Sequence, residues 1–332
     1  MTRSRKDRDS PRPVAPGETR AKPRDKPGAK PGAKARRNVG KEGREDMTRT
    51  RVSVPGGDVV AYSCGTGRET LLVVSGGPGC ACDYLRDAHR HYANEGFRVV
   101  AWDQLGTGES DVPDDPSLWN IPRFVAELEA VRRALGIGRF HLLGHSWGGI
   151  LALEYVLAFP QHVKRFVMSN IGPSVPLLNL GFKQCKMALG IETVKMIALH
   201  ECAGTVGHPE YQAAATLLSF RHLCRMHPLP EPVVRSLGVL GPSFAAMFGP
   251  HLYHCTGSLA SWDRTADLHT VGLPVLLTTG EHDYVLPEYV AIAGNHFPRA
   301  SLRIFANCGH MPFWEDPTAY HAEVLGFLKG HG

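Results

Sequence analysis

Short apolar runs recur through residues 47–332, each cut off by glycine, proline or a polar residue. LLVV (71–74), FRVVAW (97–102), RFHLL (139–143), KRFVMSN (164–170), PVLLTTG (274–280) and SLRIF (301–305) are strand-length and show little in–out alternation. They predict strands buried on both faces, the pattern of a parallel sheet covered by helices. Helical spacing lies between several of them, as in ILALEYVLAF (150–159) and in the segment from about Trp119 to Leu135, where Ala126, Leu128, Val131 and Leu135 supply the apolar positions. Ahead of the first run, TRVSVPGGDVVAYSC (50–64) reads as an antiparallel hairpin at a sheet edge, turning at Pro55-Gly56-Gly57.

The alternation stops between about Pro173 and Leu268. That interval predicts helices around 180–200, 210–225 and 231–248 and no strand. Set between two strands of one sheet, it reads as a helical cap that shapes and covers a pocket. The expected organisation is a core of residues 47–172 and 269–332 with a cap of residues 173–268.

Residues 1–46 belong to neither. They contain KPGAKPGAK, no aromatic residue and little apolar beyond Val14 and Val39, too little to offset the entropy of ordering. A disordered basic tail is expected there. The chain's net charge of +5 also sits there: fifteen Lys and Arg against seven Asp and Glu give the tail +8, leaving −3 for the rest. A solvated extension is the expectation, with Met47 as a possible true start, rather than an arm for nucleic acid or an anionic membrane. With 43% hydrophobic residues in 332, the remainder has enough apolar content for a large core. No signal-type apolar segment and no membrane-length run occurs, so a cytoplasmic protein is expected. The eight cysteines are scattered without a C-x-x-C pair, which suits buried small side chains better than a zinc site or a disulfide framework.

Chemistry is concentrated at the strand ends. In GHSWG (144–148) a serine stands between glycines at a strand-to-helix corner, a geometry that lifts its hydroxyl into the open. A serine hydroxyl attacks carbonyls only when a base takes its proton and a third group orients that base. His310 follows SLRIF and the turn NCG, which puts it at the carboxyl end of the last strand, the edge where open α/β sheets gather ligands. PVLLTTG is followed by Glu281, His282 and Asp283; Asp283 is favoured as the carboxylate, because the corner after KRFVMSN carries no acid. The order Ser146, Asp283, His310 is that of an α/β-hydrolase. Donors for a developing oxyanion are expected from the amide of Trp147, at a helix start, and of Gly77, in the SGGPG turn.

SGGPG with Asp83-Tyr84-Leu85, DQLGTGES (103–110), GHSWGG (144–149), RHLCR (221–225), SWD (261–263), GEHD (280–283) and GHMPFWEDP (309–317) together resemble the proline iminopeptidases, serine peptidases of the α/β-hydrolase fold. The resemblance runs from about Val52 to the carboxyl terminus. It implies a Ser-Asp-His triad that works without metal or cofactor, cleaving an amide or ester of a small molecule or short peptide through an acyl-enzyme, with Asp103 and Gly106 in a structural turn.

The family's carboxylates for a substrate's free amino terminus fall in a Gly-Pro-x-Glu-aromatic segment and directly after the catalytic aspartate. The matching stretches here, GPHLY (249–253) and GEHDY (280–284), place Leu252 and Tyr284 there, and Ser75 replaces the histidine usual before Gly-Gly-Pro-Gly. Burying an ammonium without a counter-charge costs several kcal/mol. The sequence therefore predicts an apolar pocket near Trp147, Leu252, Tyr284, Phe313 and Cys80, suited to an apolar or amino-blocked amide, ester or lactone. Glu192, Glu201, Glu210 and Glu231 of the cap are the alternative sources of counter-charge. An epoxide hydrolase or dehalogenase would want aspartate at Ser146, and a binding protein without turnover would not need the triad.

Overall fold

A computed structural model describes residues 47–251 and 253–330; the basic tail expected over residues 1–46, and Leu252, lie outside them. Eight strands form one sheet: β1 (Thr48–Val54), β2 (Gly57–Cys64), β3 (Glu69–Val74), β4 (Phe97–Asp103), β5 (Phe140–His145), β6 (Val163–Ser169), β7 (Val275–Gly280) and β8 (Ala300–Phe305). Their spatial order is β1-β2-β4-β3-β5-β6-β7-β8. The first two are the expected edge hairpin, β2 meets β4 antiparallel, and every later pairing is parallel.

The unbroken apolar runs are explained by burial on both faces. Leu72 and Val74 of β3 face a core with Leu142, Leu151 and Phe166, on the side of α2 (Ile121–Ala134) and α3 (Trp147–Ala158). Leu71 and Val73, one residue out of phase, face a second core with Leu85 of α1 (Asp83–His89) and with Tyr320, Val324 and Phe327 of α10 (Pro317–Lys329). Seven of the eight cysteines are buried in these interiors and all eight are free thiols; Cys202 is exposed. No helix among the described residues is long and apolar enough to cross a membrane.

Between β6 and β7 the described chain is helical. It contains α4 (Val175–Met187), α5 (Ile191–Ala203), α6 (Pro209–Leu218) running directly into a π turn at Ser219–Leu223, α7 (Glu231–Gly238) and a second π turn at Phe244–Phe248. Two of the expected helices are interrupted. The one over 180–200 divides at Gly190, whose φ of 94° ends the first helix. The one over 231–248 breaks because Gly241 is committed elsewhere: its N–H bonds the Gly79 carbonyl at 2.8 Å, and a Cβ on it would collide with the Gly106 carbonyl oxygen. The insertion is thus tied to the SGGPG turn through backbone that only glycine allows. The remaining helices are α8 (Pro287–Gly294) and the single turn α9 (Pro312–Glu315).

Buried charge fixes the turn after β4. Asp103 accepts from the Cys82 and Glu109 amides and from the Tyr62 hydroxyl, at 2.8–3.0 Å, while Gly106 takes a φ of 87°. Burial lifts the Asp103 carboxyl above its ordinary pKa against the pull of those donors. Beside it, Glu127 is fully buried, accepts from Trp102 Nε1 at 2.8 Å and pairs with Arg123. Removing one partner of a buried pair strands the other charge. Arg123→Ala is therefore expected to lose about 3–5 kcal/mol of unfolding free energy, read from the urea midpoint, while Arg123→Ala with Glu127→Leu recovers a large part of it.

Candidate active site

The corner at Ser146 is built from close backbone contacts. Ser146 adopts φ 55° and ψ −127°, a conformation costing roughly 1–3 kcal/mol for a non-glycine residue. A Cβ on Gly144 would collide with the Gly148 carbonyl, and one on Gly148 with the Val74 carbonyl of β3. The two glycines of GHSWG let α3 leave β5 pressed against the neighbouring strand. Ser146 is left half-buried, its side chain in the wall of a cavity.

Asp283 and His310 meet behind it. His310 Nδ1 lies 2.9 and 3.1 Å from the two Asp283 oxygens, and both side chains are almost fully buried. Asp283 also accepts from the Val285 amide at 2.9 Å and from Asn170 Nδ2 at 2.8 Å. With Nδ1–H given to the carboxylate, Nε2 of His310 carries the lone pair a base needs, and it is buried without a partner. No hydrogen bond joins it to Ser146 among the described residues. Such contacts often tighten only when substrate binds.

Two further groups hold His310 in place. Glu315 accepts from the amides of Gly309 and Met311 on either side of it, at 2.9–3.2 Å, and from the Arg225 amide at 2.6 Å. The amide of His310 itself donates to the His222 and Leu223 carbonyls of the first π turn, at 2.9 and 3.1 Å. The second device is a relay: Gly76 N–H donates to the Tyr84 hydroxyl, which lies 2.7 Å from His145 Nδ1, while His145 Nε2 lies 2.8 Å from the His310 carbonyl. A carbonyl only accepts, so Nε2 bears the proton of His145 and Tyr84 donates to Nδ1. Burial, and then the nearby His310, hold His145 neutral, well below the ordinary histidine pKa.

The cavity in front of Ser146 has a volume of about 260 Å³. Its walls are mainly Leu, Phe, Tyr and Met side chains from the insertion and strand ends, including Phe182, Leu223, Phe244 and Tyr253, and among the described residues none is an Asp, Glu, Lys or Arg. Of the expected lining, Cys80 and Tyr284 are present, beside Gly77, and burial pushes the Cys80 thiol up to about 12, so it stays protonated. The Tyr284 ring lies 4.3 Å from that of His310. Two side chains differ from expectation. Phe313 packs behind the site, edge-on to His145 at 5.0 Å, since α9 folds back toward α1. The Trp147 indole points into the core, donating to Gln104 Oε1 at 3.0 Å, so only its backbone faces the nucleophile.

Asn170, Tyr84, His145 and Glu315 were not anticipated. Asn170 had a signal in the sequence: a polar residue closing KRFVMSN at a strand end, where its φ of 56° is tolerable for asparagine.

This strand order, with a serine elbow after β5, an acid after β7 and a histidine after β8, defines an α/β-hydrolase. The family model for the alpha/beta hydrolase fold matches residues 69–186. The proline iminopeptidase of Lactobacillus delbrueckii subsp. lactis is 34% identical over 267 residues, covering 79% of this chain and 91% of that protein. The crystal structure of proline iminopeptidase from Mycobacterium smegmatis matches with a TM-score of 0.78 at 31% identity, over 86% of this chain and 98% of that one. The crystal structure of VinJ matches with a TM-score of 0.81 at 26% identity, over 85% and 98%. The chain belongs to the proline iminopeptidase family, and it is a serine-type hydrolase.

Two predictions follow from the buried polar groups. Burial holds His89 at about 3 and His321 at about 2, with His145 also well below its ordinary value. Because folded pKa values lie below the unfolded value near 6.5, the unfolded state binds protons first on acidification: stability is complete above that value and lost as pH falls through it. Urea unfolding at pH 7.5 and 5 is expected to show a loss of about 4–6 kcal/mol, roughly 1.4 kcal/mol per pH unit for each of three linked protons; equal midpoints would contradict it. Tyr84→Phe leaves Gly76 N–H and His145 Nδ1 unpaired, and is expected to lower kcat about 10- to 100-fold at nearly constant KM.

Proposed function

We propose that the chain cleaves a small amide or peptide bond through an acyl-enzyme, and that the group bound beside Ser146 is apolar and uncharged. Ser146 Oγ attacks the acyl carbon as His310 Nε2 takes its proton, and Asp283, held by Asn170, stabilises the resulting imidazolium. The amides of Gly77 and Trp147 stabilise the oxyanion. His310 then returns the proton to the leaving amine, and water, activated by the same imidazole, releases the acid and frees the serine. The relatives that carry the name proline iminopeptidase support action on peptide bonds.

One observation carries the statement about the substrate: among the described residues, no Asp, Glu, Lys or Arg lines the cavity. The cap glutamates offer no replacement. Glu192 pairs with Lys195, Glu201 with Lys186 and Glu231 with Arg235, while Glu210 is exposed beside His200. An amino-blocked acyl group avoids the cost of an uncompensated ammonium, and the same wall favours a second reading in which an apolar ester or lactone is the better substrate.

The test pairs free-amine and N-acetyl versions of proline and alanine anilides with acyl esters, alongside fluorophosphonate labelling. Labelling is expected to vanish in Ser146→Ala, and blocked or ester substrates are expected to exceed free amines by at least tenfold in kcat/KM. A clear preference for free amines would refute the reading of the pocket, and labelling that survives Ser146→Ala would refute the nucleophile. Removing residues 1–46 is expected to leave hydrolysis unchanged, as it would not in a protein acting through a nucleic-acid arm.

A further inference from the structure

The α5–α6 hairpin brings together three metal-binding side chains outside the cavity. His200 sits in the last turn of α5, His208 caps α6, and Glu210 lies in the first turn of α6. Their donor atoms all lie within 4.8 Å of one another. The two imidazoles stack with centroids 4.5 Å apart and planes 19° apart, and His200 Nε2 stands 3.8 Å from a Glu210 oxygen.

We propose that these residues bind one divalent transition-metal ion of the Zn²⁺ type through His200 Nε2, an imidazole nitrogen of His208 and the Glu210 carboxylate, with water in the fourth position. Two imidazoles and a carboxylate suit zinc, whereas Mg²⁺ and Ca²⁺ prefer oxygen ligands throughout. The other nitrogen of His200 is already engaged: Nδ1 lies 2.8 Å from the Thr205 hydroxyl. A hydrogen-bond partner on the far nitrogen is the usual means of orienting a ligating imidazole. A tetrahedral ion with bonds of about 2.0–2.2 Å sets its ligands roughly 3.3 Å apart. The cluster must therefore contract, and the two groups that would move, His208 and Glu210, are both exposed. The carbonyl end of α5 favours a cation, and the Glu210 charge offsets the opposing amino end of α6.

The consequence reaches beyond the hairpin. Helix α6 continues without a break into the π turn whose carbonyls accept the His310 amide. An ion that pins the start of α6 to the end of α5 therefore steadies the element that holds the His310 loop, without touching the reacting atoms.

The test uses untagged, chelator-treated full-length protein titrated with Zn²⁺, with metal content and thermal unfolding measured on the wild type, His208→Ala and Glu210→Gln. One equivalent is expected on the wild type, with Tm raised by roughly 4–8 °C at a hundredfold excess over Kd. His208→Ala is expected to abolish both effects, and Glu210→Gln to weaken binding at least tenfold. Both substitutions are at exposed positions, so folding in the absence of metal is retained. Absence of bound zinc on the wild type, or unchanged affinity in the two variants, would overturn the assignment.

Discussion

The approach of two backbones where β5 turns into α3 governs the arrangement of the catalytic edge. Val74 ends the central strand β3, and its carbonyl occupies the space that any side chain at position 148 would need. The helix can therefore start directly over the neighbouring strand, which throws Ser146 forward and leaves the first amides of α3 unpaired beside it. The same approach limits the turn after β3, because a Cβ on Gly76 would meet both Ser146 Cβ and the Tyr84 hydroxyl at 2.9 Å. Strain at the serine persists because rigid strands on both sides over-determine it.

From that point the site is a set of loops locked to one another by buried hydrogen bonds. Five strand ends contribute: the β3 turn through Gly76, the β5 corner through His145, the β6 corner through Asn170, the β7 end through Asp283, and the β8 loop through His310. Apart from the carboxyl groups of Asp283 and Glu315 the linking groups are neutral, and low polarity strengthens each bond while making its loss expensive. Glu315 is the costly member. Burial raises its pKa even though three backbone amides draw it down, which is the signature of a carboxylate kept in place for the loop it organises rather than for net stability.

What could be read in the chain divides along this line. The strands, the elbow and the order Ser146, Asp283, His310 were legible because each depends on local rules: strand-length apolar runs, glycine where backbones touch, and polar residues just past strand ends. Asn170 is not legible from a search for acids, because the chemistry of that corner needs only a donor to the carboxylate. The motif places Phe313 and Trp147 near the pocket, but the direction of each side chain follows from how α9 and α3 pack. The break at Gly241 was equally hidden, since its cause is a hydrogen bond to Gly79, more than 150 residues away.

The cavity's lack of charge and the neutrality of the groups around it are one property. His145 lines the cavity and is kept neutral by burial; the Tyr84 and Tyr284 hydroxyls, also on its wall, are pushed well above their ordinary pKa for the same reason. An environment that disfavours ionised protein groups disfavours an ionised substrate group equally. Tyr284 makes the point locally: at the position where the family's pattern calls for a carboxylate, an aromatic ring lies against the His310 imidazole and restricts its contact with water.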